Sequence, residues 1–211
     1  MKILVLGATG ATGLLIVRQA LAQGHSVVAL VRSKAKAEAV GLVDVDLVEG
    51  DATDETALAR AIAGCDAVIS SLGTAMSPFR EVTTLSTATR ALVNVMTAQK
   101  VLRLVCITGL GAGDSRSHGG FFFDRVFLPL LLRKVYDDKN RQEDIVRAST
   151  LDWTIVRPTV LNNQPARGNI RALTDLSTVH GGSIARADVA EFVVQQLATD
   201  AWLRKAPLIT W

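Results

Sequence analysis

The chain has 211 residues, 49% of them hydrophobic, and carries a net charge of +3 at neutral pH from 23 basic and 20 acidic side chains. That is enough apolar material for the core of one α/β domain, and the small positive excess, without basic blocks or interleaved aromatics, argues against a nucleic-acid-binding surface. No apolar stretch reaches the roughly 18 residues of a membrane span, and the run after Met1-Lys2 stops at Gly7, short of the roughly 7–15 apolar residues of an export signal.

Residues 3–6, Ile-Leu-Val-Leu, form the continuous apolar run of a parallel strand covered on both faces. Gly7-Ala8-Thr9-Gly10-Ala11-Thr12-Gly13 follows at once, and then an amphipathic stretch from Leu14 to Ala22. Strand, glycine turn and helix in that order present bare backbone N–H groups to a phosphate. Gly7 and Gly10 permit the tight turn and a close approach of the anion, and Gly13 lets the helix sit tightly on the sheet. The helix, predicted over about residues 12–23 and closed by Gly24, adds partial positive charge at its first turn. A dinucleotide is the expected ligand.

Residues 26–31 read as the second strand, 34–40 as a helix and 45–48 as a short third strand. Residues 51–54 lead into a helix ending near Gly64, 67–70 form the fourth strand, and 82–100 carry helical spacing of apolar positions. Strands five and six are expected at 104–107 and 153–156, a helix at about 187–198, and a last edge strand at 208–211. The alternation predicts one domain over residues 1–211, a doubly wound, Rossmann-like parallel sheet with right-handed crossovers. The rhythm breaks at 109–120, where five glycines accompany Asp114, Ser115 and Ser117, the composition of a mobile loop. Phe121-Phe122-Phe123 and the apolar residues 127–132 follow, so a lid-like segment is expected at about 109–135. Core packing, a wall for a flat substrate and a dimer face all suit that segment, and a monomer or a homodimer is expected.

The end of the second strand bears on the choice of nucleotide. An acidic residue there accepts hydrogen bonds from a ribose 2′-hydroxyl and repels a 2′-phosphate, whereas this strand ends in Val31-Arg32-Ser33-Lys34. Arg32 offers a planar donor fork, Ser33 a hydroxyl, and Lys34 or Lys36 further positive charge, which favours NADP(H) over NAD(H). Asp51-Ala52 sits where an acid holds the adenine amino group, or where it caps the helix starting near Asp54. Ser71-Leu72-Gly73, after the fourth strand, is small enough for backbone to pass close to the pyrophosphate. Thr108-Gly109 ends the fifth strand, near the expected nicotinamide, and Pro158-Thr159 backs that ring. Cys65 and Cys106 read as buried thiols, no metal-ligand spacing links His25, His118 or His180 to other donors, and a soluble, cytoplasmic protein without a metal is expected.

Taken together, Gly7 to Gly13, Arg32, Gly50-Asp51, Ser71-Leu72-Gly73-Thr74, the run from Leu151 to Pro158 and the run from Ile184 to Ala190 make the chain resemble the atypical short-chain dehydrogenase/reductases. The resemblance is strongest to the NAD(P)H-binding group that includes biliverdin-IXβ reductase (flavin reductase) and NmrA-like proteins. It implies a Rossmann-like domain, NADPH as cofactor and a small planar acceptor such as a flavin, quinone or tetrapyrrole. Two polar groups of biliverdin-IXβ reductase are missing, since Gly109 and Val160 stand at the matching positions, which weighs against a tetrapyrrole. Ordinary members of the superfamily use a Tyr-x-x-x-Lys pair; here Tyr136-Asp137-Asp138-Lys139 has one residue fewer between the two. Residues three apart still share a helix face, so Tyr136 and Lys139 join Thr108 as candidate catalytic groups. Arg186 and Asp188 read as an ion pair or a helix cap. A redox sensor that holds NADP(H) without turnover, as NmrA-like proteins do, is the alternative. A sugar-nucleotide epimerase is disfavoured by the short chain and by the incomplete Tyr-x-x-x-Lys pair.

Overall fold

The computed structural model describes residues 1–75, 80–116, 118–120, 125–126 and 131–211. Its first half alternates β1 (Lys2–Leu6), α1 (Ala11–Ala22), β2 (Ser26–Val31), α2 (Lys34–Ala39), β3 (Asp46–Glu49), α3 (Glu55–Ile62), β4 (Ala67–Ser70) and α4 (Thr84–Gln99). The second half adds β5 (Arg103–Ile107), α5 (Arg133–Ala148), β6 (Asp152–Pro158), β7 (Val160–Asn162), β8 (Arg171–Leu173), β9 (Ser183–Ala185), α6 (Arg186–Gln195) and β10 (Leu208–Thr210). The main sheet runs β3-β2-β1-β4-β5-β6-β10-β8, and β7 pairs with β9 apart from it.

Pairing is parallel throughout the main sheet except between β10 and β8. Ile3, Leu4, Val5 and Leu6 are wholly buried because both faces of β1 are covered. Ile3 and Val5 pack with Ile16, Val17 and Val193 of α1 and α6. Leu4 and Leu6 pack with Leu58, Ile62, Leu92 and Met96 of α3 and α4. Each such aliphatic side chain contributes about 1.5–3 kcal/mol by leaving water. The architecture is a Rossmann-like α/β domain. The strand order reverses at β1, with β2 on one side and β4 on the other, and the crevice beyond the carboxyl ends of those strands is where such sheets bind ligands.

Three expectations are corrected. Residues 208–211 do not make an edge strand: β10 lies between β6 and β8, with Leu208 and Ile209 wholly buried. The true edge, Arg171–Leu173, is too short and too polar to stand out in the sequence. Arg186 and Asp188 neither pair nor cap: Arg186 donates to Asn163 Oδ1, and Ala185 is the N-cap of α6. Asp188 instead accepts from the N–H groups of Arg167 and Gly168 and from Trp211 Nε1, clamping the loop before β8. Residues 109–116 are not an open loop. Leu110, Ala112 and Ser115 are buried, Gly113–Ser115 forms a 3-10 turn, and the Gly113 N–H donates to Asn140 Oδ1 on α5. Phe121-Phe122-Phe123 and residues 127–130 of the apolar run 127–132 lie outside the described residues.

Candidate functional site

The glycine turn folds as its sequence requires. Gly7 sits at φ +77°, where L side chains are strained, and a Cβ there would lie 2.4 Å from the Ser71 carbonyl oxygen. A Cβ on Gly13 would lie 2.1 Å from the Gly7 carbonyl oxygen, so the first turn of α1 rests directly on the loop that feeds it. Gly10 is the N-cap and no side chain caps the helix. The N–H groups of Ala11, Thr12 and Gly13 therefore begin a helix without intrahelical acceptors, at its positive end.

A cleft of about 530 Å³ opens beside this turn. Gly7, Thr9 and Gly10 form one wall, Arg32, Asp51 and Ala52 a second, and Ser71, Leu72 and Gly73 a third. Beyond Arg32 a smaller hollow of about 300 Å³ is lined by Thr9, Arg32, Ser33 and Lys36. The residues that line it carry two hydroxyls and two cations, donors of the kind that could hold a phosphate. Ser33 is also the N-cap of α2, accepting from the Lys36 N–H. Asp51 does not cap α3, because Asp54 does so by accepting from the Thr56 N–H. Asp51 accepts instead from the Thr53 hydroxyl at 2.6 Å and its N–H at 2.9 Å, which hold the Asp51 carboxyl below the usual range at the cleft rim.

Thr108, Gly109, Pro158 and Thr159 do not line this cleft. They gather beyond β5 and β6, two strands further along the sheet. The Thr108 hydroxyl turns inward and donates to Glu143 Oε1 at 2.7 Å, so it does not face an open site. Its carbonyl accepts from Lys139 Nζ, and the Leu110 carbonyl accepts from the Tyr136 hydroxyl at 2.8 Å. The Lys139 ammonium lies 5.3 Å from the centre of the Tyr136 ring. A Cβ on Gly109 would stand 3.1 Å from Lys139 Nζ and 3.8 Å from the Tyr136 oxygen. The shortened Tyr-x-x-Lys spacing thus still delivers both groups to one place. Burial brings the Lys139 ammonium down to about 8, against the opposing pull of Glu143 and the Cys106 thiol. Burial also pushes the Cys106 thiol up to about 12, leaving it unreactive.

Sequence reasoning overlooked three parts of the site. Thr84, Leu85 and Ala88 of α4 form a further cleft wall together with Thr74 and Ala75, and such small or apolar residues carry no chemical signature. Glu143 was missed because it is one carboxylate in a helix full of charges. Arg157 gave a usable signal, since an arginine inside the apolar strand Trp153-Thr154-Ile155-Val156-Arg157-Pro158 requires a buried partner. Among the described residues, no group of three His, Cys, Asp or Glu side chains is placed to hold a metal ion. No helix there is long and apolar enough to cross a membrane.

With that geometry in hand, comparison with known proteins is informative. A model of the NAD(P)H-binding family matches residues 7–200. The chain belongs to that family. It is 32% identical over 207 residues to Bacillus subtilis YhfK, named an uncharacterized sugar epimerase, covering 93% of this chain and 88% of that one. An Arabidopsis thaliana chloroplastic protein, At2g34460, is 30% identical over 206 residues, covering 93% of this chain and 71% of that one. Among solved structures, ChuY of Escherichia coli O157:H7, described as an anaerobillin reductase, superposes with a TM-score of 0.82 at 25% identity, covering 100% of this chain and 97% of that one. A short-chain dehydrogenase/reductase of Veillonella parvula in complex with NADP shares the fold, with a TM-score of 0.80 at 16% identity over 100% of this chain and 94% of that one.

Proposed function

We propose that this protein is an NADPH-dependent oxidoreductase that reduces a small planar acceptor, such as a flavin, a quinone or a tetrapyrrole-like compound. The observation that supports the reading most is the order of three features along one end of the parallel sheet. A basic hollow at Arg32 follows β2, a glycine cradle follows β1, and the Tyr136–Lys139 pair meets the residues that follow β5. A Cβ at Gly7 or Gly13 would strike the Ser71 or Gly7 carbonyl, so the glycines keep the turn tight and leave the first N–H groups of α1, which no side chain caps, for a pyrophosphate.

Bound NADPH supplies a hydride to the acceptor and is left as NADP⁺. The chain's residues bind and orient. The N–H groups of Ala11, Thr12 and Gly13 take the pyrophosphate. Arg32, with Thr9, Ser33 and Lys36, takes the 2′-phosphate and favours NADP(H) over NAD(H). Asp51 and Ala52 border the adenine, and the backbone of Ser71, Leu72 and Gly73 passes beside the phosphates and ribose. Gly109, Pro158 and Thr159, with the Thr108 carbonyl, border the nicotinamide end. Lys139 Nζ, with the Tyr136 hydroxyl beside it, gives one proton to the reduced acceptor and regains it from solvent.

Absorbance of NADPH followed with flavins, quinones and a linear tetrapyrrole tests the proposal; oxidation only when an acceptor is present is the supporting result. The likeness to ChuY puts a bilin in that panel. One observation favours a second reading, an NmrA-like sensor that binds NADP(H) without turnover: the Thr108 and Tyr136 hydroxyls are already committed to Glu143 and the Leu110 carbonyl. Saturable NADPH binding without oxidation by any acceptor supports that reading instead.

A further inference from the structure

Asp138 of α5 is wholly buried, yet it lies one residue before Lys139 and two after Tyr136. A carboxyl group so far from water is costly unless its oxygens find donors, and all of the partners found for it come from α4 and from its own helix. It accepts from the N–H groups of Leu85 at 2.8 Å and Ser86 at 3.3 Å, from the Ser86 hydroxyl at 2.5 Å, and from Arg141 Nη2 at 3.4 Å. Thr83, the N-cap of α4, makes no side-chain cap bond. Asp138 therefore caps α4 from a neighbouring helix, satisfying first-turn donors and facing the positive end of its dipole. Arg141 Nη2 adds a second attachment, donating to the Val82 carbonyl at 2.6 Å.

The attached turn is a wall of the cleft. Thr84 and Leu85 line it, with Ala88 one turn further on. On the other side of the attachment, α5 carries Lys139 to the Thr108 carbonyl and Tyr136 to the Leu110 carbonyl. A helix moves as a rigid piece over so few residues, so a displacement of the α4 start is passed to both groups. We propose that Asp138 is a positioning residue that couples occupancy of the nucleotide cleft to the placement of Lys139 and Tyr136. The proposal rests on the reading of the cleft as a nucleotide site.

Acylation of Lys139 by acetic anhydride, followed on the full chain by peptide mass spectrometry, tests it. The measurement is made alone, with saturating NADPH, and with 2′-phospho-ADP-ribose, which keeps the pyrophosphate and the 2′-phosphate but has no nicotinamide to shield the amine. Calorimetry beforehand establishes whether each nucleotide binds. In the wild type both nucleotides are expected to change the Lys139 rate about fivefold or more, the lower range of ordinary coupling between sites. In Asp138→Asn the change falls below about twofold, and in Ser86→Ala to less than about half the wild-type effect, while nucleotide still binds. Ser86→Ala carries the test if Asp138→Asn does not fold. A wild-type response preserved in the folded variants overturns the proposal, as does a wild type that binds nucleotide with no change at Lys139. Absence of nucleotide binding to the wild type removes the cofactor reading, and the coupling with it, and is recognised separately in the calorimeter.

Discussion

Arg157 and Glu143 meet as a two-point ion pair in the interior. Arg157 Nε donates to Glu143 Oε1 at 2.9 Å and Nη2 to Oε2 at 2.5 Å, with the two side chains 1% and 2% exposed. The same carboxylate takes the Thr108 hydroxyl, so one residue of α5 ties the ends of β5 and β6 together. Asp114 Oδ1 also meets Arg157 Nη2 at 2.5 Å and Arg147 Nη2 lies 3.6 Å from Glu143 Oε2, so removing one partner leaves the other only partly compensated, at a cost of about 3 kcal/mol, the low end for a broken buried pair. Glu143→Gln and Arg157→Met are each expected to lower the melting temperature by about 6–12 °C, measured by thermal unfolding. The double variant Glu143→Leu/Arg157→Met is expected to recover part of that loss, because no charge is then stranded.

Gly7→Ala tests the cradle. Its Cβ meets the Ser71 carbonyl at a positive φ, so either the turn moves away from the end of β4 or strain of about 1–3 kcal/mol is retained. Calorimetric NADPH affinity is expected to fall about tenfold or more. Unchanged affinity and unchanged stability together remove the cradle from the binding argument.

Arg32→Ala tests the nucleotide preference. A charge-assisted hydrogen bond to phosphate is worth about 1.5–3 kcal/mol, so NADPH affinity is expected to fall about 10- to 150-fold while NADH affinity changes little. Arg32→Asp is expected to favour NADH outright. Equal losses for both nucleotides would count against a 2′-phosphate in the hollow beyond Arg32.

Lys139 gives a signature in pH. Its ammonium titrates at about 8 in the folded protein against an ordinary 10.5, so between these values the unfolded chain holds a proton that the folded one has released. Stability then rises with pH across that window. Wild-type stability relative to Lys139→Met, from denaturant unfolding, is expected to be flat below about pH 8 and to climb from there toward 10.5. As a proton donor the ammonium is useful only while protonated, so turnover is expected to fall as pH passes about 8, and Lys139→Met to lack that step.

The parts of this molecule that were legible in its sequence are those where backbone geometry dictates residue type. Ile3 to Leu6 announce a strand buried on both faces, and Gly7 and Gly13 a tight turn, because a Cβ at either glycine would strike backbone. Arg32 and Ser71 to Gly73 were placed on the cleft by their distance along the same repeating unit. Helix α5 was invisible because its buried positions, Val135, Asp138, Gln142, Glu143 and Val146, are mostly polar; its inner face is held by hydrogen bonds and charge, which leave no apolar periodicity. The inward turn of Thr108 could not be read for the same reason, since its partner Glu143 is 35 residues away in sequence. Likewise β7 to β9 are three residues each and owe their pairing to tertiary contacts.

The interior place of β10 has a consequence for biosynthesis. Arg157 donates its N–H to the Pro207 carbonyl, and Leu208 lies in register with it. Strand β8 meets the rest of the sheet through β10. A nascent chain can assemble β1 to β6 as they emerge from the ribosome, but residues 171–173 must wait without a partner until 208–210 arrive. Stalled translation before that point would therefore release a half-finished sheet whose raw β6 margin is sticky, a natural substrate for chaperones and proteases.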